Sequence, residues 1–278
     1  MTNELDHTNH DGQGGGTDHG ENSSQGHSAG HDAGHGSTQP GGVLVSEHGY
    51  TLRLDSPILG SGLQTVSFRI IGPDGQPVTE HQDSHEKELH LIAVRRDMAH
   101  FQHVHPVRAA SGTWSIDLNL NPGVWRIFAD FHPVGHGQPM TLGIDAFVGG
   151  TYEPQQLPAA DRTVQLSTYT VTLEGELVAN EATELTFTVS RNGQPVTDLQ
   201  PYLGAFGHLV ALRGGDLAYL HVHPEGGPGD GHTKPGPKVS FFAVAPSAGT
   251  YRLHLDFQHE DTVRTVQFTV HATAPTTS

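Results

Sequence analysis

The feature that most constrains this chain is an internal repeat about as long as a domain. Three histidines recur after a constant spacing of 118 positions, which pairs His90 with His208, His103 with His221, and His105 with His223. The sequence GQPVT at residues 75–79 returns at residues 193–197 with the same spacing. Repetition on this scale predicts two tandem copies of one domain.

Within each copy, short runs rich in Val, Ile, Leu, Thr and Phe alternate with turn signals built from Gly, Pro, Asn and Asp. This texture is typical of an all-β, Ig-like sandwich, and no segment has the periodicity of a long amphipathic helix. In the first copy it predicts strands at residues 50–55, 63–71, 88–94, 101–105, 113–118, 124–131 and 140–148.

The composition changes sharply near residue 43. The residues before it are mostly Gly, Ser, Asn, Asp, Glu and His, a mixture that buries too little apolar surface to fold. We therefore predict a disordered His/Gly/Asp-rich tail at 1–42, Ig-like sandwiches at 43–150 and 163–271, a linker at 151–162 and a disordered C-terminus at 272–278. The tail histidines either collect divalent metal loosely or do nothing; they are His7, His10, His19, His27, His31 and His35.

Charge and residue usage exclude several classes of function. Acidic residues outnumber basic ones by 30 to 14, which disfavours nucleic acid and anionic membranes as partners and favours cations. The absence of cysteine removes disulfides, thiolate nucleophiles and sulfur metal cages. No apolar run in the sequence reaches the length of a transmembrane segment, and no signal peptide pattern is present, so we expect a soluble chain.

The repeated histidines have the arrangement of metal ligands. Side chains two residues apart on a strand share a face, so His103 and His105 point the same way. His90 lies in an apolar run that reads as a strand buried on both faces, where a polar ring needs a partner. A hairpin between these strands would bring the three imidazoles together. We predict one such site in each copy, the second formed by His208, His221 and His223.

A further ligand is expected from the strand that follows. Asp130 and its counterpart Asp256 either orient a ligand imidazole or bind the metal directly. In the first copy His132 is the candidate for a fourth position. Its counterpart is Gln258, so the two sites should differ there. Additional candidates are His254, His259 and His85.

Ligand chemistry narrows the choice of metal. Imidazole with carboxylate suits Cu(II), Zn(II) or Ni(II), whereas a chain with no Cys and three Met lacks the soft ligands that Cu(I) prefers. Copper(II) is the first expectation and zinc(II) the second.

Two stretches of the sequence resemble a known group of proteins. These stretches are residues 86–92 with the His-Val-His-Pro motif at 103–106, and residues 202–210 with the same motif at 221–224. They are similar to actinobacterial secreted or membrane-anchored proteins, mostly uncharacterised and loosely described as heavy-metal-binding. Similar modules occur beside periplasmic copper-efflux components. The resemblance implies Ig-like sandwiches and an extracytoplasmic location, in the cell envelope or secreted, although this chain lacks the usual N-terminal apolar export segment.

Three functions remain open from the sequence. The first is a divalent metal-binding protein that sequesters copper or zinc or passes it to an efflux or delivery protein, without catalysis. The second is a copper-dependent oxidoreductase resembling superoxide dismutase, which this chain's lack of a disulfide disfavours. The third is a structural or adhesion sandwich in which the histidines are hydrogen-bonding core residues.

Overall fold

The fold is entirely β in the part of the chain that the structure, a computed structural model, describes: residues 39–220 and 222–276. Each copy of the repeat forms its own sandwich of two sheets with its own hydrophobic core. The all-β class and the two tandem Ig-like sandwiches are therefore confirmed. No helix long and apolar enough to cross a bilayer occurs in these residues.

The first sandwich contains all seven strands that the sequence predicts. In chain order its strands are β1 (Ser46–Glu47), β2 (Tyr50–Leu54), β3 (Ile58–Leu59), β4 (Gly62–Ile71), β5 (His81–Gln82), β6 (Leu89–Arg95), β7 (Gln102–Val104), β8 (Val107–Arg108), β9 (Thr113–Leu120), β10 (Gly123–Pro133) and β11 (Met140–Val148). One sheet has the order β1-β2-β4-β9-β8. The other has the order β3-β11-β10-β6-β7, with β5 also paired to β10.

The second sandwich repeats this plan. Its strands are β12 (Thr163–Leu166), β13 (Tyr169–Glu174), β14 (Ala182–Arg191), β15 (Gln194–Pro195), β16 (His208–Arg213), β17 (Tyr219–Leu220), β18 (Val222–Pro224), β19 (Lys238–Val244), β20 (Gly249–His259) and β21 (Thr262–Ala272). One sheet has the order β12-β13-β14-β19-β18, with β15 on β14. The other has the order β17-β16-β20-β21.

Every second side chain along the central strands points into the core of its sandwich. On β10, Trp125, Ile127 and Phe131 are fully buried against the facing sheet of the first sandwich, and on β20 the buried Tyr251, Leu253 and Phe257 do the same in the second. The opposite faces of β10 and β20 point away from these cores. Those outer faces carry the residues of the candidate site.

A third apolar cluster joins the two sandwiches. It consists of residues from the outer faces of β6, β10 and β16 with the loops beside them: Ile92, Val94, Met98, Phe128, Val210, Leu212 and Leu217. This cluster explains why every residue of β6 is buried. The sequence predicts a strand buried on both faces, and the second covering layer is the other sandwich.

Ring contacts across this interface follow the repeat. Phe101 stacks on His254, with ring centroids 3.7 Å apart, while its counterpart Tyr219 contacts Phe128, the counterpart of His254, at 5.8 Å. Equivalent positions thus exchange partners across the interface. Such an exchange is the pattern of a two-fold relation between the copies.

Gly42, the last residue of the predicted tail, is held by contacts with the first sandwich. Gly42 donates to the carbonyl of Thr141 at 2.8 Å, and the buried guanidinium of Arg126 donates to the carbonyls of Gly42 and Val43. Gly42 has a φ of +71°, and a Cβ there would lie 2.5 Å from the Phe128 ring. The buried Arg126 needs acceptors, and residues 42 and 43 supply them. The remainder of the predicted tail, residues 1–38, lies outside the described residues.

The C-terminal boundary is later than predicted. Ala272 belongs to β21, and Thr273 pairs in parallel with Val178. The amide of Ala179 donates to the carbonyl of Thr273 at 2.9 Å, and the amide of Thr273 donates to the carbonyl of Leu177 at 3.0 Å. These backbone bonds extend the second sandwich past residue 271.

Candidate metal centre

The β6–β7 hairpin brings three histidines together, as predicted. The register places Ile92 opposite His103, so His90 and His103 share the outer face of the sheet. The Nε2 atoms of His103 and of His105 each lie 3.1 Å from Nδ1 of His90. One ring nitrogen from each histidine falls within 4.8 Å of the others, and among the described residues this is the single set of three donors that does so.

The backbone fixes the tautomer of His90. Its Nε2 lies 2.9 Å from the carbonyl oxygen of Ser84. A carbonyl only accepts hydrogen bonds, so Nε2 must carry the proton. The neutral ring then presents the lone pair of Nδ1 to His103 and His105.

The second sandwich fixes the tautomer of His103. Its Nδ1 lies 2.8 Å from Oδ2 of Asp256, and the two side chains are only 5% and 4% exposed. A carboxylate also accepts, so Nδ1 is the donor, and the lone pair of a neutral ring would be on Nε2. Oδ1 of Asp256 accepts a further hydrogen bond from the hydroxyl of Thr265. Carboxylate–histidine pairs of this kind orient metal ligands and increase their basicity.

When His103 is neutral, the lone pairs of His90 Nδ1 and His103 Nε2 face each other across 3.1 Å. Such a contact is repulsive unless a cation or an additional proton lies between the nitrogens. At a metal–nitrogen distance of about 2.0–2.1 Å, donors 3.1 Å apart subtend about 100° at the metal. This angle lies between those of tetrahedral and square-planar sites, so it suits zinc(II) and copper(II) alike.

Burial keeps the imidazoles of His90 and His105 unprotonated. Desolvation, helped by the neighbouring His103 and His105, lowers the pKa of His90 to about 3. Desolvation and the nearby His103 also lower the pKa of His105 to about 4. At neutral pH both rings are neutral, which is the form that binds metal.

Asp130 differs from its counterpart Asp256 in what it contacts. Burial raises the pKa of Asp130 to about 6. Its Oδ1 accepts a hydrogen bond of 3.1 Å from Thr141, the counterpart of Thr265. The prediction that each aspartate serves its own copy is wrong for Asp256, which serves a histidine of the first sandwich. Two-fold packing of the outer faces places it there.

The second copy does not form an equivalent triad among the described residues. His208 repeats the tautomer of His90: its Nε2 donates to the carbonyls of Tyr202 and Leu203 at 2.9 and 3.0 Å. Its ring, however, lies nearest His85 of the first copy, at 5.1 Å between centroids. His223 is exposed on β18, which pairs with β19 in the other sheet. His221 lies outside the described residues.

Three further candidates lie outside the triad. His132 is on β10 opposite Gln82, and its buried Nε2 has no hydrogen-bond partner. His259 bonds Tyr169 at 2.8 Å and Asp198 at 3.1 Å at the end of β20. His254 is buried in the interface. None of the three is therefore the expected fourth ligand. The alternation of side chains along a strand predicts which face a residue is on, but it does not predict how close to the triad that residue lies.

His254 gives a prediction about stability. Both of its ring nitrogens are buried without a partner, and its counterpart in the first copy is Phe128. We expect His254→Phe to stabilise the protein by about 1–3 kcal/mol, because it removes two unsatisfied polar atoms and keeps an aromatic ring against Phe101. Urea denaturation at pH 7 measures the change. A lower midpoint would mean that the position is too small for the larger ring.

Several groups that hold the site were not identified from the sequence. These are the carbonyls of Ser84, Tyr202 and Leu203 and the hydroxyls of Thr141 and Thr265. The repeat carries a signal for some of them, since Ser84 and Tyr202 each precede their histidine by six positions. The threonines lie opposite the two aspartates in the strand register. Only the register shows that pairing.

Comparisons with known proteins give fold-level likeness at most. InvD of Yersinia pseudotuberculosis is 13% identical, with 83% of this chain and 59% of that chain covered and a TM-score of 0.27. The fibronectin(III)-like modules of Clostridium thermocellum CbhA are 11% identical, with 81% and 95% covered and a TM-score of 0.21. This chain thus spans less than two thirds of InvD. No curated protein matches the chain.

A family model matches residues 45–146 and again residues 162–274. The two matches correspond to the two sandwiches and cover most of the chain. The chain therefore belongs to the family described as a domain of unknown function (DUF8832), of which it contains two tandem copies.

Proposed function

We propose that this protein binds a divalent transition metal through His90, His103 and His105. The observation that carries the proposal is the 3.1 Å contact between Nδ1 of His90 and Nε2 of His103, with an acceptor bound to the other nitrogen of each ring. Imidazole ligands held by backbone carbonyl and carboxylate acceptors are typical of protein metal centres. Copper(II) is the first candidate and zinc(II) the second.

The chemistry of the site favours storage or transfer of the metal. Neutral imidazoles bind Cu(II) and Zn(II) well. We infer sequestration, or delivery to an efflux or acceptor protein, in an extracytoplasmic location. The large excess of acidic residues favours cation capture.

Metal binding is tested with the full-length chain in which the six tail histidines are changed to Asn, so that the tail contributes little. We call this the tail-silenced chain. Calorimetric titration with Cu(II) and with Zn(II) should show a tight ion, and thermal melting should show a higher Tm with metal than with chelator. A ligand that binds only the folded state must raise the midpoint.

The same experiment with His103→Ala/His105→Ala should show no tight ion and no metal-dependent rise in Tm. His105→Ala alone provides a milder variant, because His105 is only partly buried. His271→Ala is the matched control, since His271 is an exposed histidine that bonds Thr250 far from the triad. An equally tight ion in the triad variant and in the control would contradict the proposal.

A structural or adhesion module is the second candidate. It is favoured by the donation of His90 and His208 to backbone carbonyls, which is what core histidines do without metal. In that case Tm should be the same with Cu(II), Zn(II) and chelator. The melting experiment therefore separates the two functions directly.

A further inference from the structure

A cavity of about 170 Å³ lies beside the triad, between the two sandwiches. Besides His90 and His103, its lining includes four potential metal ligands: His85 and Asp130 from the first sandwich and His208 and His223 from the second. His85 and His223 are exposed and His208 is buried, so the cavity runs from solvent to the interior. These residues surround open space, whereas the triad donors are already in contact.

The turn that carries His85 is strained. Ser84 and Lys87 exchange backbone hydrogen bonds around His85 and Glu86, whose φ values are +49° and +65°. Both central residues are thus left-handed, as in a type I′ turn, which favours Gly or Asn. Residues other than Gly and Asn adopt this backbone conformation rarely.

The second copy forms the same turn with different residues. Its central residues are Leu203 and Gly204, with φ values of +55° and +74°, and the turn is closed by bonds between Tyr202 and Ala205. No metal-binding side chain stands at either position. The first copy therefore has a histidine at a position where the second copy has leucine.

His208 lies beside this histidine and has one unprotonated ring nitrogen. Because Nε2 of His208 donates to two carbonyls, its Nδ1 is the unprotonated nitrogen. The His85 and His208 rings are 5.1 Å apart, which matches the 4.8–5.3 Å between rings inside the triad. Asp130 adds a carboxylate to the cavity wall, with Thr141 as its hydrogen-bond donor.

We propose that His85, Asp130 and His208 form a second divalent-metal site in this cavity, with His223 at its rim, so that the domain interface holds two ions. The proposal rests on metal binding at the triad and adds a site of mixed imidazole and carboxylate ligands contributed by both sandwiches. Its donors must close around an ion, so it should bind more weakly than the triad.

Native mass spectrometry of the tail-silenced chain titrated with Zn(II) tests the second site. We expect two ions per chain, the second at higher metal concentration. His85→Gly should reduce the count to one, and it should not lower Tm, because glycine suits the left-handed backbone. Glu86→Gly is the matched control, because it changes the same turn at a residue that does not line the cavity. The control should retain both ions.

The outcomes separate the two proposals. A chain that binds a single tight ion, with no change in His85→Gly, overturns the second site and leaves the triad intact. Two ions retained in His85→Gly also overturn it. A chain that binds no tight ion would contradict the proposal of metal binding at the triad. His105→Ala should lose the tight ion and retain the weak one, which assigns each ion to its site.

Discussion

Metal-free protein is expected to lose stability steeply as the pH falls from 6.5 towards 4. Desolvation lowers the pKa of His81 and of His208 from 6.5 to about 4, and it lowers the pKa of His90 further. Between these values the unfolded chain binds protons that the folded chain excludes, so acidification favours unfolding. For the buried His208 alone, the shift corresponds to roughly 3 kcal/mol.

Asp130 has the opposite effect on how stability depends on pH. Its pKa is raised from 3.8 to about 6, so the folded protein takes up a proton there that the unfolded chain does not, and stability rises as the pH falls through 6. One carboxyl opposes several histidines, since His105 and His254 also have lowered pKa values. The net expectation is therefore a loss of stability in acid.

Urea denaturation in the presence of chelator, at half-unit steps from pH 7.5 to 4.5, measures this dependence. The midpoint should fall throughout the range below pH 6.5. His254→Phe should make the fall shallower, because it removes one histidine whose pKa burial lowers. A midpoint that stays constant down to pH 5 would show that the cluster histidines are readily protonated in the folded protein.

Much of the fold was predictable because the repeat and the two-residue alternation of strands are local signals. They give the sandwich class, all seven predicted strands of the first copy and the β6–β7 hairpin. The short strands β1, β3, β5 and β8 were not predicted, because two-residue pairings leave no pattern. The boundaries at residues 42 and 272 depend on tertiary contacts with Arg126 and with Val178, which the sequence does not reveal.

The composition of the triad was predictable for the same reason. His90, His103 and His105 are close in sequence, and one hairpin brings them together. The carboxylate of Asp256 beside His103 and the ring of His85 beside His208 were not predictable, because each comes from the other sandwich. A repeat suggests two like sites, whereas packing of the two outer faces mixes the residues of both copies.

Asp256→Asn is expected to weaken metal binding at the triad by about 10–100-fold, although Asp256 belongs to the other sandwich. The asparagine oxygen can still accept the Nδ1–H of His103, so the ring keeps its orientation. What is lost is the negative charge that makes Nε2 of His103 a better donor to a cation. Calorimetric titration of the tail-silenced chain with Zn(II) measures the change in Kd.

Asp130→Asn is the matched control for this prediction. It removes the equivalent carboxylate. In the described contacts this carboxylate accepts a hydrogen bond from Thr141 and makes none with a triad histidine. It should leave the tight ion unchanged and weaken the second one. If Asp256→Asn binds the tight ion as strongly as the unchanged chain, the carboxylate does not act through His103. If only Asp256→Asn weakens binding of the tight ion, a residue of the second sandwich sets the affinity of a site whose ligands all lie in the first.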